Sequence, residues 1–153
     1  MELIIFTNSA EETSFLGTKI APFLEQGDVI TLSGDLGAGK TTFVQGLAAG
    51  LLSKMRVISP TFNIMRCYFD ARIPLYHIDA YRLEEGNKEI GLEEFIEGNG
   101  VAVIEWPQYI KELLPPTFLE ITIISLGEEQ RKLTIKSSNE HYHQLLKRFK
   151  ADN

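Results

Sequence analysis

Cysteine and long hydrophobic runs are scarce in this sequence, and each scarcity excludes a class of protein. The 153 residues include one cysteine, Cys67, so no internal disulfide can form and no second thiol can complete a metal site. We interpret Cys67 as a packed strand thiol. No apolar run approaches the roughly 20 residues of a membrane-spanning helix, and Glu2 lies where a signal peptide would carry positive charge. We therefore expect a soluble, cytoplasmic protein.

Positive charge is also in short supply. The sequence has 15 Lys and Arg residues against 21 Asp and Glu residues, with a formal net charge of −6 and a pI near 5.1. Such a surface repels the phosphate backbone of nucleic acids, so we expect any role in nucleic-acid chemistry to run through partner proteins. Hydrophobic residues make up 44% of the chain, which is a globular composition, and the length suits one domain over residues 1–153.

Glycine is concentrated in residues 34–41, whose sequence is GDLGAGKT. This stretch matches the phosphate-binding pattern G-x-x-x-x-G-K-[ST]. The β-rich run of residues 29–32 precedes it, and apolar residues at helical spacing follow it, so strand, loop and helix come in the P-loop order. These flanking elements disfavour the alternative, a glycine-rich turn that only links a strand to a helix.

The residue types of this loop suit a nucleotide phosphate. Backbone N–H groups near the glycines turn inward around phosphate oxygens, and the following helix adds its positive end. The Lys40 ammonium would reach the β- and γ-phosphates, the Thr41 hydroxyl would hold Mg²⁺, and Thr42 can donate to a phosphate. The predicted nucleotide-binding residues of the loop are Asp35, Gly37, Ala38, Gly39, Lys40, Thr41 and Thr42.

Two acidic residues end apolar strands and are candidates for chemistry at the phosphates. Glu105 follows residues 101–104 in the Walker-B arrangement, which delivers a carboxylate to the carboxyl edge of a sheet, and Asp79 ends the run of residues 75–78. Such carboxylates fix Mg²⁺ or orient the attacking water. The predicted catalytic residues are therefore Lys40, Asp79 and Glu105. The alternatives are a loop acid at Glu105, and a turn cap or an ion pair with Arg82 at Asp79.

Two further polar residues near these strands have open roles. His77 could act as a base or contact phosphate, but a lone strand histidine is more often a hydrogen-bonded structural residue, which is the interpretation we favour. Thr61 follows the P-loop helix where many P-loop hydrolases carry a switch segment, and it could approach the γ-phosphate or Mg²⁺. The alternative for residues 59–62 is a strand-initiating turn.

The rest of the chain predicts an α/β fold. Ser9 and Glu12 form a capping box that opens a helix, and Pro22 is expected to kink that helix or end it early. Residues 118–126 and 131–137 flank a glycine-containing turn and predict an antiparallel hairpin near the C-terminus. A closing amphipathic helix follows this hairpin.

Four motifs occur in order along the chain. They are residues 33–43 (SGDLGAGKTTF), 59–62 (SPTF), 77–83 (HIDAYRL) and 104–106 (IEW). Together they closely resemble the bacterial TsaE (YjeE) family, the small ATPase of the threonylcarbamoyl-adenosine tRNA modification pathway. The resemblance implies an α/β, P-loop NTPase-like three-layer fold with a central mixed sheet and a C-terminal antiparallel hairpin.

For function, the resemblance implies ATP hydrolysis with Mg²⁺ and association with a two-protein complex of TsaB and TsaD type. That complex transfers threonylcarbamoyl to adenosine 37 of tRNAs that read ANN codons. The negative net charge predicts that any contact with tRNA is indirect, and we expect no membrane partner. Thr41 and Glu105 would bind Mg²⁺, and Asp79 would lie beside the γ-phosphate or its water. The family places the nucleotide near the first helix start and the C-terminal hairpin, which makes Ala10 and Arg131 candidates for the adenine pocket.

Other nucleotide-dependent classes remain as alternatives. A small-molecule P-loop kinase usually adds an arginine-bearing lid and a substrate pocket, whereas the segment before Glu105 is short and acidic. A GTPase usually needs N/T-K-x-D for guanine, and the nearest string, at residues 87–90, lacks the aspartate. A third possibility, compatible with the resemblance, is a binding module whose hydrolysis resets an assembly. With no evident acceptor site, water is the expected phosphoryl acceptor.

Overall fold

Short, mostly apolar strands form the centre of the fold. The structure is a computed structural model, and it describes residues 1–84 and 90–153. Residues 87–89, considered above for guanine recognition, lie outside the described residues. The strands within the described ranges are β1 (Glu2–Thr7), β2 (Val29–Ser33), β3 (Met65–Tyr68), β4 (Leu75–Asp79), β5 (Val101–Glu105), β6 (Leu119–Ser125) and β7 (Arg131–Ser137).

Helices connect most of these strands. The α-helices in the same part of the chain are α1 (Ala10–Ile20), α2 (Lys40–Gly50), α3 (Glu93–Ile96) and α4 (Glu140–Ala151), and the 3₁₀ segments are Ala21–Phe23, Tyr81–Leu83 and Pro107–Leu113. The predicted cap of α1 is present, because the Ser9 hydroxyl accepts the N–H of Glu12 at 3.1 Å. Pro22 lies in the 3₁₀ segment that follows, so the predicted early end of α1 is confirmed. None of the described helices combines the length and apolar character needed to cross a membrane.

The strands form one mixed sheet in the order β1-β7-β6-β2-β5-β4-β3. Strand β2 pairs in parallel with β5 and β6, and β4 pairs in parallel with β5. Strands β6 and β7 form the predicted antiparallel hairpin, β1 adds to β7, and β3 adds to β4. The α/β fold with a central mixed sheet is therefore confirmed. Its parallel part brings the carboxyl ends of β2, β4 and β5 to one edge.

Two apolar clusters cover the two faces of the sheet. The larger cluster joins the sheet to α1, α2 and α4, through residues that include Leu16, Leu47 and Leu145. The smaller cluster lies on the other face, where Ile78 and Ile104 of the sheet meet α3 and the 3₁₀ segments. Burial on both faces explains why the residues of β4 and β5 are buried along both strands.

Helices α1 and α2 approach each other closely because glycine occupies both sides of their contact. A Cβ atom on Gly17 would lie 2.5 Å from the Phe43 carbonyl oxygen, and one on Gly46 would overlap the Ser14 carbonyl oxygen. Since α2 begins at the glycine-rich loop of residues 34–39, this contact also fixes where the loop lies relative to the sheet. A side chain at Gly46 would overlap the Ser14 backbone, so it must push the two helices apart.

We expect Gly46→Ala to lower the free energy of unfolding by about 2 kcal/mol or more, because overpacking at a backbone contact outweighs the better helix propensity of alanine. Thermal or urea unfolding measures the change. Gln45→Ala is the matched control, since Gln45 is exposed on the same helix and should leave stability nearly unchanged. Equal stability of the two variants would contradict the close contact.

Candidate nucleotide-binding site

The loop of residues 34–39 turns the chain from β2 into α2, and its glycines form a cradle at the N-terminus of that helix. Gly37 (φ 80°) and Gly39 (φ 105°) have positive φ angles, which glycine adopts without steric cost. Gly39 is also the N-cap of α2, and no side chain of the described residues caps that end of the helix. The N–H groups of the first turn are therefore left for a ligand, and the helix dipole adds positive potential there.

Lys40, the first residue of α2, holds its ammonium group beside this cradle. Only 7% of the residue is exposed. Its Nζ donates to the Gly34 carbonyl oxygen at 2.6 Å and lies 3.8 Å from Glu105 Oε1. The same atom lies 4.5 Å from the centroid of a Trp106 ring, which is a cation–π distance. These contacts compensate a charge that is largely removed from water.

Glu105 and Asp79 end two neighbouring parallel strands and are directly paired in the register of β5 and β4. They are 4% and 3% exposed. Glu105 Oε2 lies 2.6 Å from His77 Nε2. Asp79 Oδ2 accepts the hydroxyl of Thr61 at 2.9 Å, and its Oδ1 accepts the N–H of Tyr81 at 2.9 Å. The two predicted strand-end carboxylates therefore lie together, next to the loop lysine.

The segment of residues 59–62 is tied to this carboxylate pair. The hydroxyls of Thr61 and Ser59 are 2.8 Å apart, so Thr61 links Ser59 to Asp79. Asp79 also caps the turn after β4, as the first alternative proposed. The second alternative, an ion pair between Asp79 and Arg82, is wrong, because Arg82 donates instead to the Phe62 carbonyl oxygen at 2.8 Å. Asp79 thus connects the end of the sheet to the segment that follows α2.

Aromatic side chains form one wall of the site. Trp106 has a left-handed backbone conformation (φ 57°) directly after Glu105, and this conformation starts the 3₁₀ segment Pro107–Leu113. Its ring stacks on the Tyr109 ring with an interplanar angle of 13°. The centroids of the Trp106 and Tyr81 rings are 5.1 Å apart. The pKa of Tyr109 is raised, chiefly because its phenol loses contact with water and then because Glu84 is nearby.

These groups line a cleft of about 490 Å³ at the carboxyl edge of the sheet. Most of the predicted site residues line this cleft, whereas Asp35 and Ala38 of the loop do not. The lining residues are Leu36, Gly37, Gly39, Lys40, Thr41, Thr42, Ser59, Thr61, Asp79, Tyr81, Glu105 and Trp106. The cleft therefore combines a glycine cradle at the N-terminus of α2, one ammonium, two carboxylates and two threonine hydroxyls of α2.

A second, smaller cavity of about 120 Å³ lies on the other side of the loop. Ala10 and Arg131, the two candidates for an adenine pocket, both line it. Gly39 and Thr42 line this cavity as well as the main cleft, so the two spaces share a wall. The structure thus brings both candidates next to the glycine-rich loop, and their contact with adenine stays a prediction.

Arg131 has a role that the sequence did not indicate. Its Nε donates to the Ala38 carbonyl oxygen at 2.8 Å, and one Nη contacts the Gly37 carbonyl oxygen at 3.4 Å. The other Nη donates to carbonyl oxygens of the β6–β7 turn, including Gly127 at 3.1 Å. When N–H groups of a phosphate-binding loop point inward, its carbonyls point outward and need donors. Arg131 supplies these donors, 93 residues away in sequence from Ala38.

Other contributions were only partly foreseen. The favoured interpretation of His77 as a hydrogen-bonded residue is confirmed, although its partner, Glu105, was not predicted. Leu36 and Tyr81 line the cleft without having been predicted as binding residues. Both residues belong to motifs named above, Leu36 to SGDLGAGKTTF and Tyr81 to HIDAYRL, and this membership was the signal that could have found them.

Comparison with known proteins decides the family. The sequence profile described as "Threonylcarbamoyl adenosine biosynthesis protein TsaE" matches residues 7–133. The chain belongs to the TsaE family. This family membership relates the chain to threonylcarbamoyladenosine biosynthesis, and the four-motif resemblance is confirmed.

Individual TsaE proteins are similar over most of the chain. The tRNA threonylcarbamoyladenosine biosynthesis protein TsaE of Bacillus subtilis (strain 168) is 44% identical over 139 residues, covering 91% of this chain and 88% of the relative. The TsaE protein of Treponema pallidum (strain Nichols) is 40% identical over 131 residues, covering 84% of this chain and 96% of the relative. The crystal structure of Bacillus subtilis YdiB superimposes with a TM-score of 0.88 at 38% identity, covering 100% of this chain and 97% of that one.

In this TsaE family member, we expect Arg131→Ala to weaken nucleotide binding by roughly tenfold, because the loop carbonyls lose a charged donor. Titration with ADP and with inorganic pyrophosphate separates two roles. A donor that shapes the loop affects both ligands equally, whereas an adenine contact affects ADP alone. Lys132→Ala, the neighbouring strand residue, is the control. Unchanged affinity for both ligands would contradict the role of Arg131 in shaping the loop.

Proposed function

We propose that this protein is a magnesium-dependent ATPase. One observation carries the proposal: the buried Lys40 ammonium and two buried strand-end carboxylates, Glu105 and Asp79, meet beside a glycine-built cradle. Phosphoryl transfer needs this combination, because catalysis depends on positioning the phosphates and on stabilising their charge. We assign adenine as the base because the sequence contains no complete N/T-K-x-D motif for guanine.

The chain's own groups divide the work at the phosphates. The N–H groups of the loop and of the first turn of α2 bind phosphate oxygens, and the Lys40 ammonium balances their charge. Thr41 and Glu105 are the residues that we propose to hold Mg²⁺. Among the residues that the structure describes, no three His, Cys, Asp or Glu side chains converge on a metal-sized site. Magnesium at such sites characteristically takes one or two protein oxygens together with phosphate and water oxygens. When bound, the ion neutralises phosphate charge and orients the reacting oxygens.

Water is the proposed phosphoryl acceptor. Glu105 has one oxygen bonded to His77, and its other oxygen faces Lys40 at 3.8 Å. Asp79 has both oxygens engaged, one by Thr61 and one by the N–H of Tyr81. Asp79 therefore suits a linking role, in which a change at the γ-phosphate alters its bond to Thr61 and shifts the segment of residues 59–62. Such a link would report the state of the nucleotide to a partner.

Family membership supports a place for this ATPase in the modification of adenosine 37 in tRNA. We propose that its hydrolysis acts on a two-protein transferase complex of TsaB and TsaD type in the cytoplasm. Leu36 and Tyr81 line the cleft and are 96% and 49% exposed, and Phe62, which follows the lining residue Thr61, is 85% exposed. Apolar groups that stay in contact with water around a functional cleft favour a protein partner. The net charge of −6 favours indirect contact with tRNA.

We expect Lys40→Ala to weaken ATP binding by roughly tenfold to a hundredfold and to abolish turnover, because a hydrogen-bonded charge at the phosphates is lost. Titration with ATP and the release of phosphate measure the two effects. Lys54→Ala is the control, since Lys54 is an exposed lysine beyond the far end of α2. Equal affinity of the two variants would refute the site. Transfer of phosphate to a small acceptor, with none to water, would favour the kinase alternative.

We expect Phe62→Ser to leave the basal ATPase rate unchanged and to reduce the change in rate that the transferase complex produces, because an apolar contact with the partner is lost. The measurement is ATP turnover with and without the purified complex. Phe69→Ser is the matched control, because Phe69 is 66% exposed in the turn between β3 and β4, at the opposite edge of the sheet. A partner response that survives in Phe62→Ser would place the docking surface elsewhere.

A further inference from the structure

A buried histidine contacts the candidate site from inside the sheet. His77 is 0% exposed and does not line the cleft, yet its Nε2 lies 2.6 Å from Glu105 Oε2. The two residues belong to neighbouring parallel strands, where His77 is paired with Val103, two residues before Glu105. The imidazole therefore approaches the carboxylate along the face of the sheet. A carboxylate oxygen can only accept a hydrogen bond, so we assign the donor role in this contact to Nε2.

This bond determines which oxygen of Glu105 faces the cleft. With Oε2 engaged by His77, Oε1 is the oxygen that lies 3.8 Å from Lys40 Nζ. A glutamate side chain has several rotatable bonds, so a fixed second contact is needed to hold one oxygen in place. Asp79, its neighbour in the register, already has hydrogen bonds on both oxygens. Glu105 Oε1 is thus the carboxylate oxygen of the pair that remains available to a ligand.

The other ring nitrogen of His77, Nδ1, indicates that packing alone does not explain an imidazole at this position. Its Nδ1 is buried and has no hydrogen-bond partner among the described residues. A buried polar atom without a partner is unfavourable, and an apolar side chain at this position of β4 would avoid that cost. The contribution of the imidazole at this position is therefore made through Nε2, at Glu105.

We propose that His77 is a positioning residue that orients Glu105 and directs its Oε1 to the cleft. This inference rests on the proposed function, because it assigns Glu105 to the magnesium ion or its water. Residues that hold a ligating or reacting carboxylate in one orientation typically contribute roughly tenfold to a hundredfold in metal affinity or activity. His77 acts through Glu105 and does not itself contact the nucleotide.

Two amide variants of similar chemistry and different reach test the proposal. His77→Gln can place a donor near the position of Nε2, whereas His77→Asn is one carbon shorter and cannot reach Glu105. We expect the Asn variant to lose roughly tenfold or more in ATP turnover and in the gain of ADP affinity that Mg²⁺ produces. The Gln variant should keep most of both. Affinity for ADP without Mg²⁺ should equal that of the wild type in both variants. The two variants should also share one melting temperature.

A double-variant cycle identifies the route of the effect. In a Glu105→Gln background, His77→Asn should cause no further loss of turnover or of the Mg²⁺-dependent gain, because its target is already altered. Losses that add independently would overturn the proposal. Equal turnover and an equal Mg²⁺-dependent gain in ADP affinity in the Gln and Asn variants would also overturn it. If the ring had only a structural role, it would not matter whether the replacement donor reaches Glu105.

The proposed function can fail separately from this inference. A wild-type protein that binds ADP without any effect of Mg²⁺, and that does not hydrolyse ATP, would refute the ATPase proposal and this inference with it. Wild-type activity that His77→Asn leaves intact would refute the positioning role alone. Loss of metal-free ADP affinity in His77→Asn would show that the ring supports the loop and would count against its action through Glu105.

Discussion

Parallel pairing of β2, β5 and β4 is the constraint on which the candidate site depends. Parallel strands end at a common edge, so the loop after β2, Glu105 at the end of β5 and Asp79 at the end of β4 must meet there. A slip of one residue in either pairing would turn a carboxylate to the opposite face of the sheet. Burial of both faces under helices and 3₁₀ segments holds the register, because an apolar strand cannot slip without exposing or crowding its neighbours.

Burial makes the charged groups of this edge depend on one another. Lys40, Glu105 and Asp79 are each less than a tenth exposed. A buried charge without a partner is unfavourable, so each group is accompanied by polar contacts from the backbone or from a neighbouring side chain. The polar groups are therefore held in place by the fold itself. Preorganised groups of this kind need little rearrangement when charge develops in a reaction.

The loops of the site are held by a few polar contacts from distant parts of the chain. Arg131 reaches the phosphate-binding loop from the hairpin, and Thr61 reaches Asp79 from the segment after α2. The first contact supports a rigid cradle, because it joins the loop to a paired strand. The second joins a carboxylate of the site to an exposed segment that carries Phe62. Such an arrangement would suit the proposed nucleotide site, because it could pass the state of that site to the proposed partner.

Much of the fold and of the site was predictable from local pattern. The cap at Ser9, the early end of α1 near Pro22 and the hairpin of β6 and β7 depend on residues close in sequence. The glycine-rich loop and the two strand-end acids can be identified for the same reason, since each lies in one continuous motif. The order of these motifs along the chain predicted the family, and the match of the family profile to residues 7–133 confirmed it.

Tertiary structure decided which side chains meet. The partner of His77, the donors to the loop carbonyls and the link from Thr61 to Asp79 join residues 18 to 93 positions apart. No periodicity or short motif encodes these contacts, because they depend on sheet register and on how closely α1 and α2 approach. The sequence alone therefore determined that a glycine-rich loop with the phosphate-binding pattern and two strand-end acids exist. Only packing decided that they share one cleft, and which oxygen of Glu105 faces it.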